Sequence, residues 1–347
     1  MCRASADTAV VCQRSDAERY GRLAPGIEVI GGPAAISHRS ARLAWEQTGL
    51  PLLAQHVAAD VIHSPHYTVP LRAGRPVVVT IHDASFFTEP DHHSTAKGAF
   101  FRSAIKTSLR RAARTVVPSK ATRDELIRLL DADATRIDVA YHGVDGSLFH
   151  VPDDGEKLQV KARLGLPGTD YVAFLGALEP RKNVPNLIRG WMIAVKDRDA
   201  PPALVLAGGA GHDDEIDAVV ATVPPRLRLL RPGYLRFRDL PGYLGGALLC
   251  AYPSHGEGFG LPVLEAMACG AAVLTTPRLS LPEVGGDAVA YTQEDPDSIA
   301  ADLIALLDDS ERRKILAAAG LARSREFTWE HSADAHLASY ARAAAES

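Results

Sequence analysis

LLCAYPSHGEGFGLPVLEAMACG, Leu248 to Gly270, is the stretch that decides the fold. Its first part, LLCAYPS (Leu248 to Ser254), is a short apolar run, as a strand covered on both faces of a sheet must be. A loop with glycine at Gly256, Gly258 and Gly260 follows, and a helix opens at about Pro262, a residue suited to the first helical turn. The glycines let backbone N–H groups come close to a ligand, and the helix N-terminus offers its positive dipole end to a phosphate. Two carboxylates stand in Glu-x7-Glu spacing, Glu257 in the loop and Glu265 a turn inside the helix. An acid on such a helix can accept hydrogen bonds from ribose hydroxyls, and one in the loop is free to face a sugar. A glycine-rich loop with solvated acids is the plain alternative; strand, proline-started helix and paired acids together argue against it.

The same strand–loop–helix unit recurs outward from this stretch in both directions. Upstream in the same half lie YVAFLGA (Tyr171 to Ala177), ALVLAGG (Ala203 to Gly209) and LRLLRPG (Leu227 to Gly233), and downstream lies AVLTTP (Ala272 to Pro277). The first half offers strands at Ala9 to Gln13, Ile27 to Gly31, Asp60 to Ser64, Val77 to Asp83, Thr115 to Ser119 and Arg136 to Gly143. Helical patterns separate them at Ser40 to Val57, Ala96 to Ala112 and Lys120 to Leu130, the last with Ser119 as N-cap. Repetition of this kind predicts right-handed βαβ units and a parallel sheet in each half. HVPDDGEK (His150 to Lys157) is polar, contains Pro and Gly, and reads as the linker. The expected division is residues 1–150, residues 151–327, and a C-terminal helix at 328–347 that packs back on the first domain.

Composition narrows the class. At 347 residues the chain suits two α/β domains, and 46% hydrophobic with 23% charged residues excludes disorder for the bulk. A net charge of −4 excludes nucleic acid as the general partner. Cys2, Cys12, Cys250 and Cys269 form no CxxC pair, so free thiols and a reducing, cytoplasmic compartment are expected. No apolar run approaches the roughly 20 residues that span a bilayer.

The segment Ser254 to Gly270 resembles the Glu-x7-Glu signature of retaining, family-4 glycosyltransferases of the GT-B type, among them many bacterial mannosyltransferases. LTTPRLSLPEVGGDAVAY (Leu274 to Tyr291) looks like that family's next strand, Pro-Glu loop and Gly-Asp turn. FLGALEPRKNVPNLIRGW (Phe174 to Trp191) is similar to its strand ending in Gly, here Gly176, followed by Arg-Lys-Asn and a helix. TIHDASFFTEP (Thr80 to Pro90) and YHGVD (Tyr141 to Asp145) also match. The implied fold class is α/β, two Rossmann-like doubly wound parallel-sheet domains facing across a cleft. The implied activity is transfer of a hexose from a nucleoside diphosphate sugar, with GDP-mannose as first donor and no cofactor, since the nucleotide sugar is the substrate. The acceptor is a sugar, a lipid-linked glycan or a small molecule.

Residue by residue, the resemblance places Gly176, Arg181, Lys182, Gly256, Gly258, Phe259, Gly260, Leu261 and Glu265 on the donor nucleotide, and His82, Glu257, Arg181 and Lys182 in catalysis. Arg181 and Lys182 have a physical case of their own, because a planar fork beside a compact point charge suits a diphosphate without a metal; a solvated loop pair is the alternative. His82 and Asp83 end the strand VVVTIHD, and His63, His66 and Tyr67 also follow a strand, which makes them candidates for the acceptor side. For each histidine a satisfied structural role competes. In the acidic run His212 to Glu215, Asp213 and Asp214 read as first-turn helix residues. A helix from Phe100 to Arg114 carries Arg102, Lys106, Arg110, Arg111 and Arg114, which would suit weak peripheral contact with anionic lipid or merely a solvated face. The chain departs from the family at its start: the usual first strand, glycine loop and helix, about 50 residues, are expected upstream of it. That departure sets a second expectation beside the first, a nucleotide-sugar-binding protein without efficient transfer.

Overall fold

The computed structural model describes residues 7–88 and 95–346. Glu89 and Pro90 of the TIHDASFFTEP match, and Cys2, lie outside the described residues. Two compact units divide the chain, Met1–Gly143 with Trp329–Ser347, and Val144–Thr328.

Among the described residues the first unit holds six strands in two sheets. β1 (Ala9–Cys12) and β2 (Glu28–Gly31) pair only with each other, in parallel. β3 (Ile62–Ser64), β4 (Val77–Thr80), β5 (Arg114–Val117) and β6 (Ile137–Val139) form a parallel sheet in that order. A single sheet in this half is therefore corrected to two. The reason is visible in burial: β4 and β5 are buried along their whole length, whereas no residue of β1 or β2 is. The helix Lys120–Leu130 starts where expected, with the Ser119 hydroxyl accepting the Thr122 N–H at 3.0 Å. The helix Trp329–Ala345 belongs to this unit; Ser339 Oγ donates to Asp138 at 2.8 Å and Arg342 pairs with the same carboxylate at 2.8 Å.

The second unit is built on one six-stranded parallel sheet. Its strands are β7 (Tyr171–Leu175), β8 (Ala203–Ala207), β9 (Leu229–Gly233), β10 (Leu249–Tyr252), β11 (Val273–Thr275) and β12 (Ala290–Tyr291), in the order β12-β11-β10-β7-β8-β9. The chain runs outward through β7, β8 and β9, then returns to β10 on the other side of β7. That is the doubly wound arrangement, and its switch point, where ligands bind beyond the strands' carboxyl ends, lies between β7 and β10. The helix Val184–Val195 is apolar on most of its surface, and Trp191 on it is fully buried with its indole N–H donating to the Pro202 carbonyl at 3.0 Å. Truncating such a side chain costs about 3–5 kcal/mol.

Three expectations are corrected here. The boundary falls at 143/144 and not 150/151, because the Val144 N–H donates to the Phe327 carbonyl and His150 bonds the Glu156 carboxylate, which ties this stretch to the second unit. HVPDDGEK is not a linker. It contains a helix start: the Asp153 carboxylate accepts the Glu156 N–H at 2.8 Å and the Glu156 carboxylate accepts the Asp153 N–H at 2.9 Å, a capping box opening the helix Asp154–Arg163. Asp213 and Asp214 precede their helix, Glu215–Val220, and Asp213 accepts the Glu215 N–H.

Candidate active site

Two loops meet at the switch point of the second unit. After β7 the chain runs through Gly176 into a single 3-10 turn, Pro180–Lys182. Asn183 then takes φ +56°, a left-handed backbone that Asn tolerates better than most residues, and starts the helix Val184–Val195. Its side-chain amide donates to the Glu294 carbonyl at 2.8 Å. After β10 the loop from Ser254 to Gly260 leads into the helix Leu261–Ala268, with Gly260 at φ +105° as its N-cap. A Cβ at Gly260 would sit 2.9 Å from Leu281, so glycine is required there twice over.

The loops are stitched together. The His255 N–H donates to the Arg181 carbonyl at 2.9 Å, and Arg181 Nη1 donates to the Gly256 carbonyl at 2.6 Å. Ser280 Oγ lies 2.8 Å from the carbonyls of both Glu257 and Phe259, and Phe259 is buried, edge-on to Phe327. At the centre is the Glu257 carboxylate. Its Oε2 lies 2.5 Å from Arg181 Nη1 and its Oε1 lies 2.6 Å from Lys182 Nζ. Oε1 also accepts from the Tyr252 hydroxyl at 2.9 Å and faces Ser254 Oγ at 2.8 Å, while Lys182 bonds the Tyr252 hydroxyl as well. Burial alone would raise the Glu257 carboxyl, but the charges of Lys182 and Arg181 outweigh it and hold it down to about 2. Burial draws the Lys182 ammonium below its ordinary value in spite of Glu257. Tyr252 and Ser254, which share in holding Glu257, carried no role in the sequence; their signal was only their place at the end of an apolar strand.

Glu265 is of another kind. Its carboxylate is half-buried and has no hydrogen-bond or ion-pair partner among the described residues, and burial pushes it up to about 7. A carboxylate desolvated without a partner costs free energy until a ligand supplies one.

In the first unit the candidates scatter among different roles. His82 donates through Nε2 to the Pro65 carbonyl at 2.8 Å and sits 5.9 Å from the His66 ring. His66 stands edge-on to Tyr67 and Phe101, and burial, then His82, lowers its pKa. Three acceptor-side candidates are taken up in structural contacts. Tyr67 is a core residue, 5% exposed, packed against Phe86 and Phe101 with φ +60°. His63 is half-buried and held between Thr80 Oγ1 and the Tyr340 hydroxyl, both at 2.8 Å. The Asp83 carboxylate takes the Ser85 N–H and hydroxyl, holding the start of the helix Ser85–Thr88. The basic face is also smaller than expected: the helix is Thr95–Arg111, and Arg114 is a buried residue of β5 paired with Asp138 at 2.7 Å.

Asp-x-Asp spacing, a common metal-holding pattern, occurs at Asp131/Asp133, Asp197/Asp199 and Asp295/Asp297. Asp133 caps a 3-10 turn, Asp295 caps the helix Pro296–Asp308, and Asp197 and Asp199 are exposed. Among the described residues no cluster of three or more His, Cys, Asp or Glu could hold a metal, and no helix is long and apolar enough to cross a membrane.

Comparison with known proteins falls on the same elements. Residues 157–323 match the family model described as Glycosyl transferases group 1, and residues 2–148 match Glycosyltransferase Family 4. The chain is 34% identical over 273 residues to the O-antigen chain mannosyltransferase B of Escherichia coli, covering 78% of this chain and 71% of that one. It is 32% identical over 235 residues to the D-inositol 3-phosphate glycosyltransferase of Segniliparus rotundus, spanning 65% of this chain and 51% of that relative. Among solved structures, Anabaena HepE in complex with UDP-glucose superposes with a TM-score of 0.74 at 19% identity, over 92% of this chain and 88% of that one. WaaG, a glycosyltransferase of lipopolysaccharide biosynthesis, superposes with a TM-score of 0.71 at 13% identity, over 92% and 87%.

Proposed function

Because the chain belongs to the family-4 glycosyltransferases of GT-B fold, we propose that it transfers a hexose, mannose from GDP-mannose in the first instance, to a glycan acceptor with retention of configuration. The observation that carries this reading is the meeting of Arg181 and Lys182 with the glycine loop at the switch point of the second sheet. Two adjacent cations, backbone N–H groups and the start of a helix at one spot are what a leaving diphosphate needs. Glu265, half-buried and unpartnered, is the group for the ribose hydroxyls. The name of the Escherichia coli relative supports mannose and a glycan acceptor. A lipid-linked or small-molecule acceptor remains within the same chemistry.

In the proposed reaction the acceptor hydroxyl attacks the anomeric carbon on the face from which the diphosphate departs. The bond from that carbon to the β-phosphate oxygen breaks, and this oxygen takes the acceptor's proton. The chain's share is electrostatic: Arg181 and Lys182 offset the charge of the departing diphosphate without a metal. Glu257 orients the sugar. His82, on the acceptor side, orients the sugar with it near the anomeric carbon. The basic face of the helix Thr95–Arg111 is the proposed place of weak contact with anionic lipid.

The test uses the whole chain. Calorimetry with GDP in the presence of EDTA is expected to show binding, and GDP-mannose is expected to give mannose transfer to a glycan primer or release to water. Binding only with added magnesium or manganese would overturn the metal-free assignment. Binding of GDP-mannose with neither transfer nor release would make the chain a nucleotide-sugar-binding protein. Transfer from UDP-glucose alone would replace the donor.

A further inference from the structure

We propose that Glu257 is an internal stand-in for the donor's diphosphate, closing on Arg181 and Lys182 in the free protein and displaced from them when a nucleoside diphosphate binds. This rests on the donor-site reading above and adds a competition within it. The two oxygens of the carboxylate are divided between the two cations, Oε2 to Arg181 at 2.5 Å and Oε1 to Lys182 at 2.6 Å. Two anionic oxygens on one planar group copy the edge of a phosphate, the shape a guanidinium and an ammonium side by side accept. The Tyr252 and Ser254 hydroxyls complete the cradle at 2.9 and 2.8 Å. Glu257 is 8% exposed and Lys182 7%, so the pair is desolvated.

The arrangement has a reason. A buried ammonium without a counter-charge loses its proton or destabilises the fold. Glu257 keeps Lys182 and Arg181 charged and aimed before the donor arrives. The same carboxylate cannot stay when a diphosphate takes both cations, because its negative charge would stand within contact of the phosphate oxygens. Once displaced, it needs a new donor, which a sugar hydroxyl provides in the intact nucleotide sugar and nothing provides in the nucleoside diphosphate product. Glu257 therefore favours the donor over the product: after transfer it returns to the cations and helps expel the diphosphate.

The experiment is calorimetry of the full chain with GDP, UDP, GDP-mannose and inorganic pyrophosphate, comparing wild type with Glu257→Gln. The variant keeps the shape but not the charge, and is expected to bind GDP and pyrophosphate about tenfold more tightly or better, while its preference for GDP-mannose over GDP collapses. Tyr252→Phe and Ser254→Ala, which loosen the cradle and leave the charge, are expected to tighten GDP in the same direction by a few fold, and they carry the test if Glu257→Gln does not fold. Wild type binding GDP with all three variants equal or weaker overturns the competition and leaves the donor site standing. No binding of GDP or UDP by any form overturns the donor site and the competition together.

Discussion

The phenol hydroxyl of Tyr340 lies 2.8 Å from Nδ1 of His63, tying the C-terminal helix to β3. Burial pushes the phenol up to about 12, so it keeps its proton and donates. His63 Nδ1 is then the acceptor, and Nε2–H donates to Thr80 Oγ1 at 2.8 Å, an assignment made from the network. Burial first, then His336 and His82, lowers the His63 pKa to about 4, and burial likewise lowers His142 to about 4. The folded state then binds fewer protons than the unfolded chain between about 6.5 and 4, so stability rises with pH across that window and is lost as pH falls through it. The amide protection factors in Trp329–Ala345, corrected for intrinsic exchange at each pH, are expected to fall from pH 6.5 to 4, and Tyr340→Phe to lose about 1 kcal/mol at pH 7. Protection of that helix unchanged down to pH 4 would refute the coupling.

Glu265 gives the opposite slope. Its carboxyl is raised to about 7 by burial, so the folded state holds a proton that the unfolded chain has released. Stability contributed by this proton is present at low pH and is lost as pH rises from about 4.5 through 7. Glu265→Gln is expected to raise Tm at pH 8, with the gain vanishing below pH 4.5, and to weaken GDP binding. A variant that is no more stable at pH 8 yet binds as wild type would remove Glu265 from both roles.

Arg181→Ala and Lys182→Ala are each expected to lower kcat/KM for the donor by roughly 100-fold or more, the scale of losing a charge-assisted contact to a developing diphosphate. Glu257→Gln is expected to lower kcat to a similar extent while GDP affinity rises. Steady-state kinetics beside calorimetry separate the two, and wild-type rates in all three variants would remove the site.

Asn183 supports Lys182 from the next position in the chain. Its φ of +56° and its bond to the Glu294 carbonyl are separable by substitution. Asn183→Gly keeps the backbone free and loses the bond; Asn183→Ala loses the bond and strains the turn by about 1 kcal/mol or more. The alanine variant is expected to melt lower than the glycine variant and to lose more kcat/KM. Equal behaviour of the two would show that the left-handed turn carries no strain.

Local sequence pattern was enough to give the architecture of the second unit and to pick out the two loops that meet at its switch point. β7, β8, β10 and the helix Leu261–Ala268 announce themselves because buried parallel strands are continuous apolar runs, and because glycine and proline punctuate the turns between them. Arg181, Lys182, Glu257 and Glu265 were legible for the same local reason, each following a strand or opening a helix. Partnership was not legible. That Glu257 holds both cations, that Tyr252 and Ser254 hold Glu257, and that His63 belongs to Tyr340 depend on contacts between residues far apart in the chain, where local spacing carries no information. Tyr67 and Asp83 followed strands as binding residues do, yet one went to the core and the other to a helix start, because burying an aromatic ring and satisfying backbone N–H groups are stronger local demands than facing a ligand. Tertiary structure alone decided which carboxylate is paired and which waits.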